Sequence, residues 1–182
     1  IGFDDAAFAF DSEIKKVSLI GVVCQGIRMV RVLQKSIKID GDDATDALIS
    51  LVLKVKKLVQ YILTHSITFG GFNLIDIDEI YDRTGIPIIS ITEKKVNLPS
   101  VKKALLKNFP NTYKDKLRKI VNAGKLYNAQ IQTAGGKSDI YFHSKGIDID
   151  CIDEFFNQIS IDSKLPEAIR MAHLIGRAFK TL

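Results

Sequence analysis

The sequence predicts an α/β protein built on a mixed sheet, a three-strand meander followed by parallel strands, with helices on both faces. Three observations point there. The first forty residues contain β-branched, alternating runs separated only by short connections. Near residue 43 the apolar period changes from that of a strand to that of a helix. Beyond it, short β-branched runs alternate with amphipathic stretches, the pattern of strands covered by helices.

Taken in order, Ile1-Gly2-Phe3 runs into Asp4, and Ala6 to Phe10 also reads as strand. Val17 to Gln25 is β-branched and mostly apolar, a buried strand. Ile27 to Ile39 alternates, with an irregularity near Leu33 to Lys35. Asp43-Ala44-Thr45-Asp46 opens a helix with Leu48, Leu51, Val52, Val55, Leu58 and Val59 on one stripe, and its early Asp residues suit the positive end of the helix dipole. Tyr61-Ile62-Leu63 is a short central strand ending at His65-Ser66. Gly70-Gly71 is no phosphate loop, since no Lys-Ser/Thr follows; it is a plain turn or a place where backbone nears a ligand. Leu74 to Tyr81 reads as a helix and Ile86 to Ile91 as a buried strand. Two helices follow near Leu98–Phe109 and Thr112–Ala123, then a Gly135-Gly136 turn before Ile140-Tyr141-Phe142, and a helix from Ile147 to Ile159. Pro166 suits the first position of a last helix, whose stripe is Ala168, Met171, Ala172, Ile175, Ala178, Phe179 and Leu182.

The 182 residues are 46% hydrophobic and carry no repeats or linkers, so residues 1–182 are read as a single domain. Balanced charge and ordinary apolar content exclude disorder as the main state. Two distant cysteines, Cys24 and Cys151, exclude a disulfide scaffold and fit a reducing cytoplasm. No apolar run approaches a membrane span, so no membrane partner is expected. Nothing at the start resembles a signal peptide, and because the chain begins with Ile a preceding segment is expected.

The net charge of +5 hides its placement. Residues 94–137 hold 11 basic side chains and one acid, Asp115, whereas the segments on either side are mildly acidic. Such a block is an electrostatic footprint for nucleic acid, or else a solvated, Lys-rich pair of helices. Under the first reading the phosphate contacts are Lys94 and Lys95 before the first helix, Lys102 and Lys103 within it, and Lys114, Lys116, Arg118 and Lys119 in the second.

The acids are uneven too, with 16 Asp against 5 Glu. Asp4-Asp5 interrupts an apolar strand, where a carboxylate is costly unless paired, hydrogen-bonded or metal-bound. Asp40 ends the third strand, with Asp42, Asp43 and Asp46 just beyond, and these read either as a metal-binding cluster or as a turn and helix cap. If the fourth strand lies parallel beside the first, His65 approaches Asp4. His173, beside the stripe of the last helix, reads as a packed or partly exposed residue rather than a ligand.

Four ordered stretches carry a resemblance: Ile1-Gly2-Phe3-Asp4-Asp5, Ile39 to Thr45 (IDGDDAT), Thr68 to Asn73 (TFGGFN) and Leu165 to His173 (LPEAIRMAH). Together they resemble an uncharacterised archaeal protein family that is itself similar to endonuclease V. The resemblance implies a ribonuclease H-like fold and a Mg²⁺- or Mn²⁺-dependent site that cuts nucleic acid near inosine. It implies that Asp4 and Asp40 are metal ligands, and that Lys94 steadies charge developing on phosphate. Where endonuclease V has an Asp-Gly pair ending the fourth strand, this chain has His65-Ser66; a later Gly-His pair falls on Gly146-Ile147, and the Pro-rich strand-separating wedge is missing, since residues 25–37 hold no Pro. Losing a carboxylate weakens the site for Mg²⁺, while imidazole remains acceptable to Mn²⁺ or Zn²⁺. The leading expectation is therefore an RNA- or DNA-binding protein with an endonuclease V-like fold and a degenerate metal site formed by Asp4, Asp40 and His65. The alternative is a divalent-metal-dependent endonuclease acting on inosine-containing or structured RNA or DNA, and a partner-binding scaffold is a third.

Overall fold

The computed structural model of the protein describes residues 1–8, 15–150 and 152–178. Strands β1 (Gly2–Asp5), β2 (Lys16–Gln25) and β3 (Arg28–Lys38) form the expected meander. Strands β4 (Ile62–His65) and β7 (Ile88–Thr92) then extend the sheet parallel to β1, and the hairpin β8 (Tyr127–Thr133) and β9 (Gly136–Lys145) closes it antiparallel, giving the order β3-β2-β1-β4-β7-β9-β8. Between β4 and β7, a small hairpin of β5 (Thr68–Phe69) and β6 (Asn73–Leu74) turns on Gly70-Gly71, at φ 49 and 81, where left-handed backbone favours glycine.

Side-chain alternation divides the core between the two faces of the sheet. Phe3, Ile62 and Ile88 point to one face, under α1 (Ala44–Lys54) and α2 (Ile77–Thr84) with Leu48, Leu51, Ile77 and Ile80. Leu63, Ile89 and Ile91 point to the other, under α5 (Ile152–Ile159) and α6 (Glu167–Ala178) with Phe142, Phe156 and Ile169. Each such fully buried side chain contributes about 1.5–3 kcal/mol relative to exposure. Helices α3 (Leu98–Asn108) and α4 (Tyr113–Asn122) pack on each other, and α4 leans on α2 and β6.

The mixed sheet with helices on both faces is as the sequence predicts; several local expectations are corrected. The irregularity lies between Val23 and Cys24, where the partner changes from Arg31 to Met29 and leaves Val30 as the extra residue, while Leu33 to Lys35 stay in the ladder. The first helix stops at Lys54 and Lys56–Leu58 form a 3₁₀ turn. The next helix begins at Ile77, because Asn73-Leu74 is drawn into the small hairpin and the Asp76 carboxylate accepts the Glu79 N–H as N-cap. The helix expected from Ile147 starts only at Ile152. Strand β8 escapes the sequence pattern because only Ala129 and Ile131 are buried in an otherwise polar edge strand. Ala9 and Phe10 of the first strand reading, Cys151, and Phe179 and Leu182 of the last stripe lie outside the described residues.

Candidate metal centre and nucleic-acid face

The parallel register of β1 and β4, with Phe3 beside Thr64, puts Asp4 next to His65 on the face that carries Leu63. Helix α6 crosses this face unusually closely, and two glycines permit it. A Cβ on Gly2 would overlap the backbone of Ala168 and Ile169, and one on Gly176 would fall 2.8 Å from the Asp5 carbonyl oxygen. Between these two approaches α6 delivers His173, whose Nδ1 lies 2.7 Å from Asp4 Oδ2. His65 Nδ1 lies 3.3 Å from the same oxygen, and the two rings are nearly perpendicular at 84°.

Asp4 is 3% exposed, and its carboxylate is tolerated there because two imidazoles share one of its oxygens. A carboxylate only accepts, so an Nδ1 that bonds to it carries the proton, which in a neutral imidazole leaves the Nε2 lone pair for a ligand. Burial of the His65 ring works against protonation, but the hydrogen bond to Asp4 and its negative charge outweigh it, with Glu93 and Asp5 adding, so the pKa is raised. The three candidate ligand atoms lie within 4.8 Å of one another. One carboxylate with two imidazoles fits Mn²⁺ or Zn²⁺ better than Mg²⁺, which prefers an all-oxygen shell.

Thus the structure brings together Asp4 and His65, as the strand pairing implied, and adds His173, which the sequence reading set aside. A helical count places His173 between Ile169 and Gly176 on the face turned to the sheet, and that signal was present. Asp40 lies outside this group. It occupies a left-handed conformation at φ 56, its N–H donates to the Gly70 carbonyl at 2.7 Å, and its Oδ1 accepts the Phe72 N–H at 2.7 Å. Asp5 accepts the Gly70 N–H at 2.6 Å. Burial pushes the Asp5 carboxyl up to about 6, the Gly70 hydrogen bond opposing and the Asp4 charge adding. The Gly70–Phe72 turn therefore joins Asp5 to Asp40.

The neighbouring acids serve structure. Asp43 does not cap α1 with its side chain; its carboxylate accepts from the Lys38 N–H and from Asn73 Nδ2, and Asn73 Oδ1 accepts the Ala44 N–H that opens the helix. Asp46 pairs with Arg83 at the surface. Asp42 pairs with Lys116.

The basic segment separates into two sets. Lys94, Lys95, Lys102, Lys103 and Lys114 are exposed. Arg118 is exposed but donates to the buried Asp76 carboxylate at 3.0 Å. Lys116 and Lys119 depart from the phosphate-contact expectation: both are buried, and Lys119 Nζ donates to the Leu74 carbonyl at 2.8 Å. Helical periodicity turns these two inward, and backbone carbonyls of the β5–β6 region satisfy them.

One residue beyond His65 opens a cavity of about 280 Å³, lined among others by Ser66, Phe72, Leu74, Ser90, Leu98 and His143. Ser66 has φ 73, held there as its N–H donates to the Ile91 carbonyl and its carbonyl accepts from Thr64 Oγ1. Ser90 is 1% exposed and its Oγ has no partner, so the cavity is apolar with one unsatisfied hydroxyl in its wall. Burial pushes the His143 pKa down, the nearby backbone carbonyls opposing. Among the described residues no helix is long and apolar enough to cross a membrane.

Comparison with known proteins bears on the family and the fold. The UPF0215 protein of Pyrococcus horikoshii is 36% identical over 180 residues, covering 98% of this chain and 90% of the relative. A crystal structure of a protein of unknown function from Archaeoglobus fulgidus superposes with a TM-score of 0.84 at 29% identity, covering 100% of this chain and 97% of that one. Endonuclease V of Ciona intestinalis, in complex with a 24mer DNA containing an inosine followed by a ribo-adenosine, superposes with a TM-score of 0.57 at 14% identity, covering 94% of this chain and 80% of that one. The fold is thus the ribonuclease H-like one that endonuclease V shares, and the resemblance read from the four motifs holds. The family model described as endonuclease dU matches residues 1–180, and the chain belongs to that family.

Proposed function

We propose that this protein is a divalent-metal-dependent endonuclease that cuts nucleic acid beside a non-standard base, with Asp4, His65 and His173 as the ion-holding group. The carrying observation is the convergence of these three side chains from β1, β4 and α6 on one point at the C-terminal ends of the central parallel strands. An ion there would supply Lewis acidity toward a phosphate oxygen. The protein's own groups do the rest. Asp4 aims both imidazoles, Asp40 is held at the neighbouring turn to complete the acidic side, and Lys94, two residues beyond β7, meets the phosphate charge. The exposed lysines of the segment before α3, of α3 and of the start of α4 hold the strand. The cavity beside Ser66 receives the base, with Phe72, Leu74 and Leu98 against its faces and Ser90 Oγ against its polar edge. The family description supports deoxyuridine as that base, while the endonuclease V likeness supports inosine.

The test is cleavage of matched oligonucleotides holding deoxyuridine, inosine or neither, with Mn²⁺ and with Mg²⁺. Cutting of a base-modified strand with Mn²⁺, lost in Asp4→Ala, is the expected result. Activity that survives Asp4→Ala sinks the assignment. The exposed lysines also favour a second reading, binding without cutting, which predicts salt-sensitive retention of the same strands with no product under either ion.

A further inference from the structure

Lys116 is among the largest fully buried side chains of the protein, at 1% exposure. A buried ammonium is costly unless every proton finds an acceptor. Here Nζ donates to the Phe72 carbonyl at 2.7 Å, the Gly41 carbonyl at 2.9 Å and Asp42 Oδ1 at 3.0 Å, with the Asp40 carbonyl at 3.4 Å. The Phe109 ring closes the remaining side, its centroid 5.1 Å from Nζ. These acceptors come from two segments that backbone and Asn73 hydrogen bonds also tie together, and Lys116 is the cation set between them. One is Asp40–Asp42 after β3, the other is Phe72 before β6. Phe72 is also the residue whose N–H holds Asp40 Oδ1 at 2.7 Å. Asp40 itself has φ 56, a left-handed conformation uncommon outside glycine, though Asp enters it more readily than most residues.

We propose that Lys116 is the positioning residue of Asp40. Its ammonium gathers the Asp40, Gly41 and Phe72 carbonyls around one charge. That keeps residue 40 left-handed and keeps the Phe72 N–H in place to aim the carboxylate. The clamp also ties α4, part of the basic segment, to the acidic turn, so strand binding and the setting of Asp40 share one element. This rests on the reading above in which Asp40 serves the site.

The experiment compares the full chain with Lys116→Met, Asp40→Ala, their double variant and Asn122→Ala, with Mn²⁺ and the base-modified oligonucleotide. Asn122→Ala removes a different α4 anchor, the Nδ2 hydrogen bond to Asp76 Oδ2 at 2.9 Å. Lys116→Met is expected to lower kcat about 10²-fold, as misplacement of a reacting group by an ångström does, with KM little changed. The double variant is expected to lose no more than Asp40→Ala alone, because both act through one group. Asn122→Ala is expected to keep kcat near that of the parent chain. Lys116→Gln, a shorter neutral donor, replaces Lys116→Met if that variant does not fold, and should show an intermediate loss. A crystal structure of the variant adds a readout independent of cleavage: residue 40 should leave the left-handed region and the Phe72–Asp40 hydrogen bond should open. Parent-like kcat in Lys116→Met beside an inactive Asp40→Ala overturns the positioning role alone. An unaltered residue 40 in that crystal structure does the same. A fully active Asp40→Ala overturns the role of Asp40, and the proposal with it. Equal losses in Lys116→Met and Asn122→Ala reduce Lys116 to a general anchor.

Discussion

Asp4 is the residue on which the site turns. One of its oxygens accepts from both imidazoles, so removing it leaves two half-buried rings without their common partner. Asp4→Asn or His173→Ala is expected to weaken Mn²⁺ binding by at least about 10–100-fold, since even the outer partners of metal ligands are worth that much, as titration calorimetry would show. A parent-like affinity in His173→Ala would remove that residue from the ion-holding group. His143 gives a pH prediction away from the ion site. Burial lowers its pKa, so the folded protein binds fewer protons than the unfolded chain in the window just below the ordinary histidine value of 6.5. Stability should therefore be complete above that value and fall as the pH drops through the window. Thermal midpoints measured from pH 7 to pH 5 should decline less steeply in His143→Phe than in the parent chain; parallel curves would show that the ring is not the titrating group.

At the scale of elements, the closeness of α6 to β1 decides whether His173 reaches Asp4. Gly2 and Gly176 are the two positions where a methyl group would meet backbone, which cannot swing aside. Gly176→Ala should cost about 1–3 kcal/mol by overpacking. In a chain of this length each 1 kcal/mol lowers the thermal midpoint by roughly 2–4 °C. The same variant should weaken Mn²⁺ binding without touching a ligand; loss of stability with unchanged metal affinity would break the link between helix approach and site. The opposite face depends on Asn73, which is fully buried and joins the start of α1 to the end of β3 through Ala44, Lys38 and Asp43. Asn73→Ala leaves buried backbone groups unpaired and should cost about 1–3 kcal/mol in denaturant unfolding.

For the whole molecule, charge and chemistry lie on neighbouring regions. The basic segment rises directly from the end of β7, beside the strand that carries His65. Of its cations, the ones turned outward remain for a partner, since Lys116 and Lys119 are consumed by carbonyls of the turn and hairpin. Binding of a single-stranded oligonucleotide should weaken as salt rises, and Lys102→Ala with Lys103→Ala should flatten the log–log slope by roughly 0.7 for each phosphate no longer neutralised. An unchanged slope would exclude α3 from the interface with the strand.

Much of this architecture was legible in the residues. β-branched runs with short connections announce the meander, and the change to helical period at residue 43 announces the covering helices, because period follows from local backbone geometry. Asp4 and His65 were legible as partners once parallel pairing was assumed, because the register of two adjacent parallel strands sets which residues sit side by side. What only the tertiary structure decided is which distant side chains share a volume. His173 is 169 residues from Asp4 and meets it through glycine-permitted packing. Lys116 and Lys119 read as surface charge until the helix is rotated against the turn, and Asp40 meets Phe72 rather than Asp4 because the left-handed residue sends the chain that way. The sequence by itself determined the meander, the central parallel strands, most of the covering helices and the acids at strand ends; long-range packing determined which of those acids meets an imidazole and which meets a buried lysine, since such meetings depend on how close two elements can come.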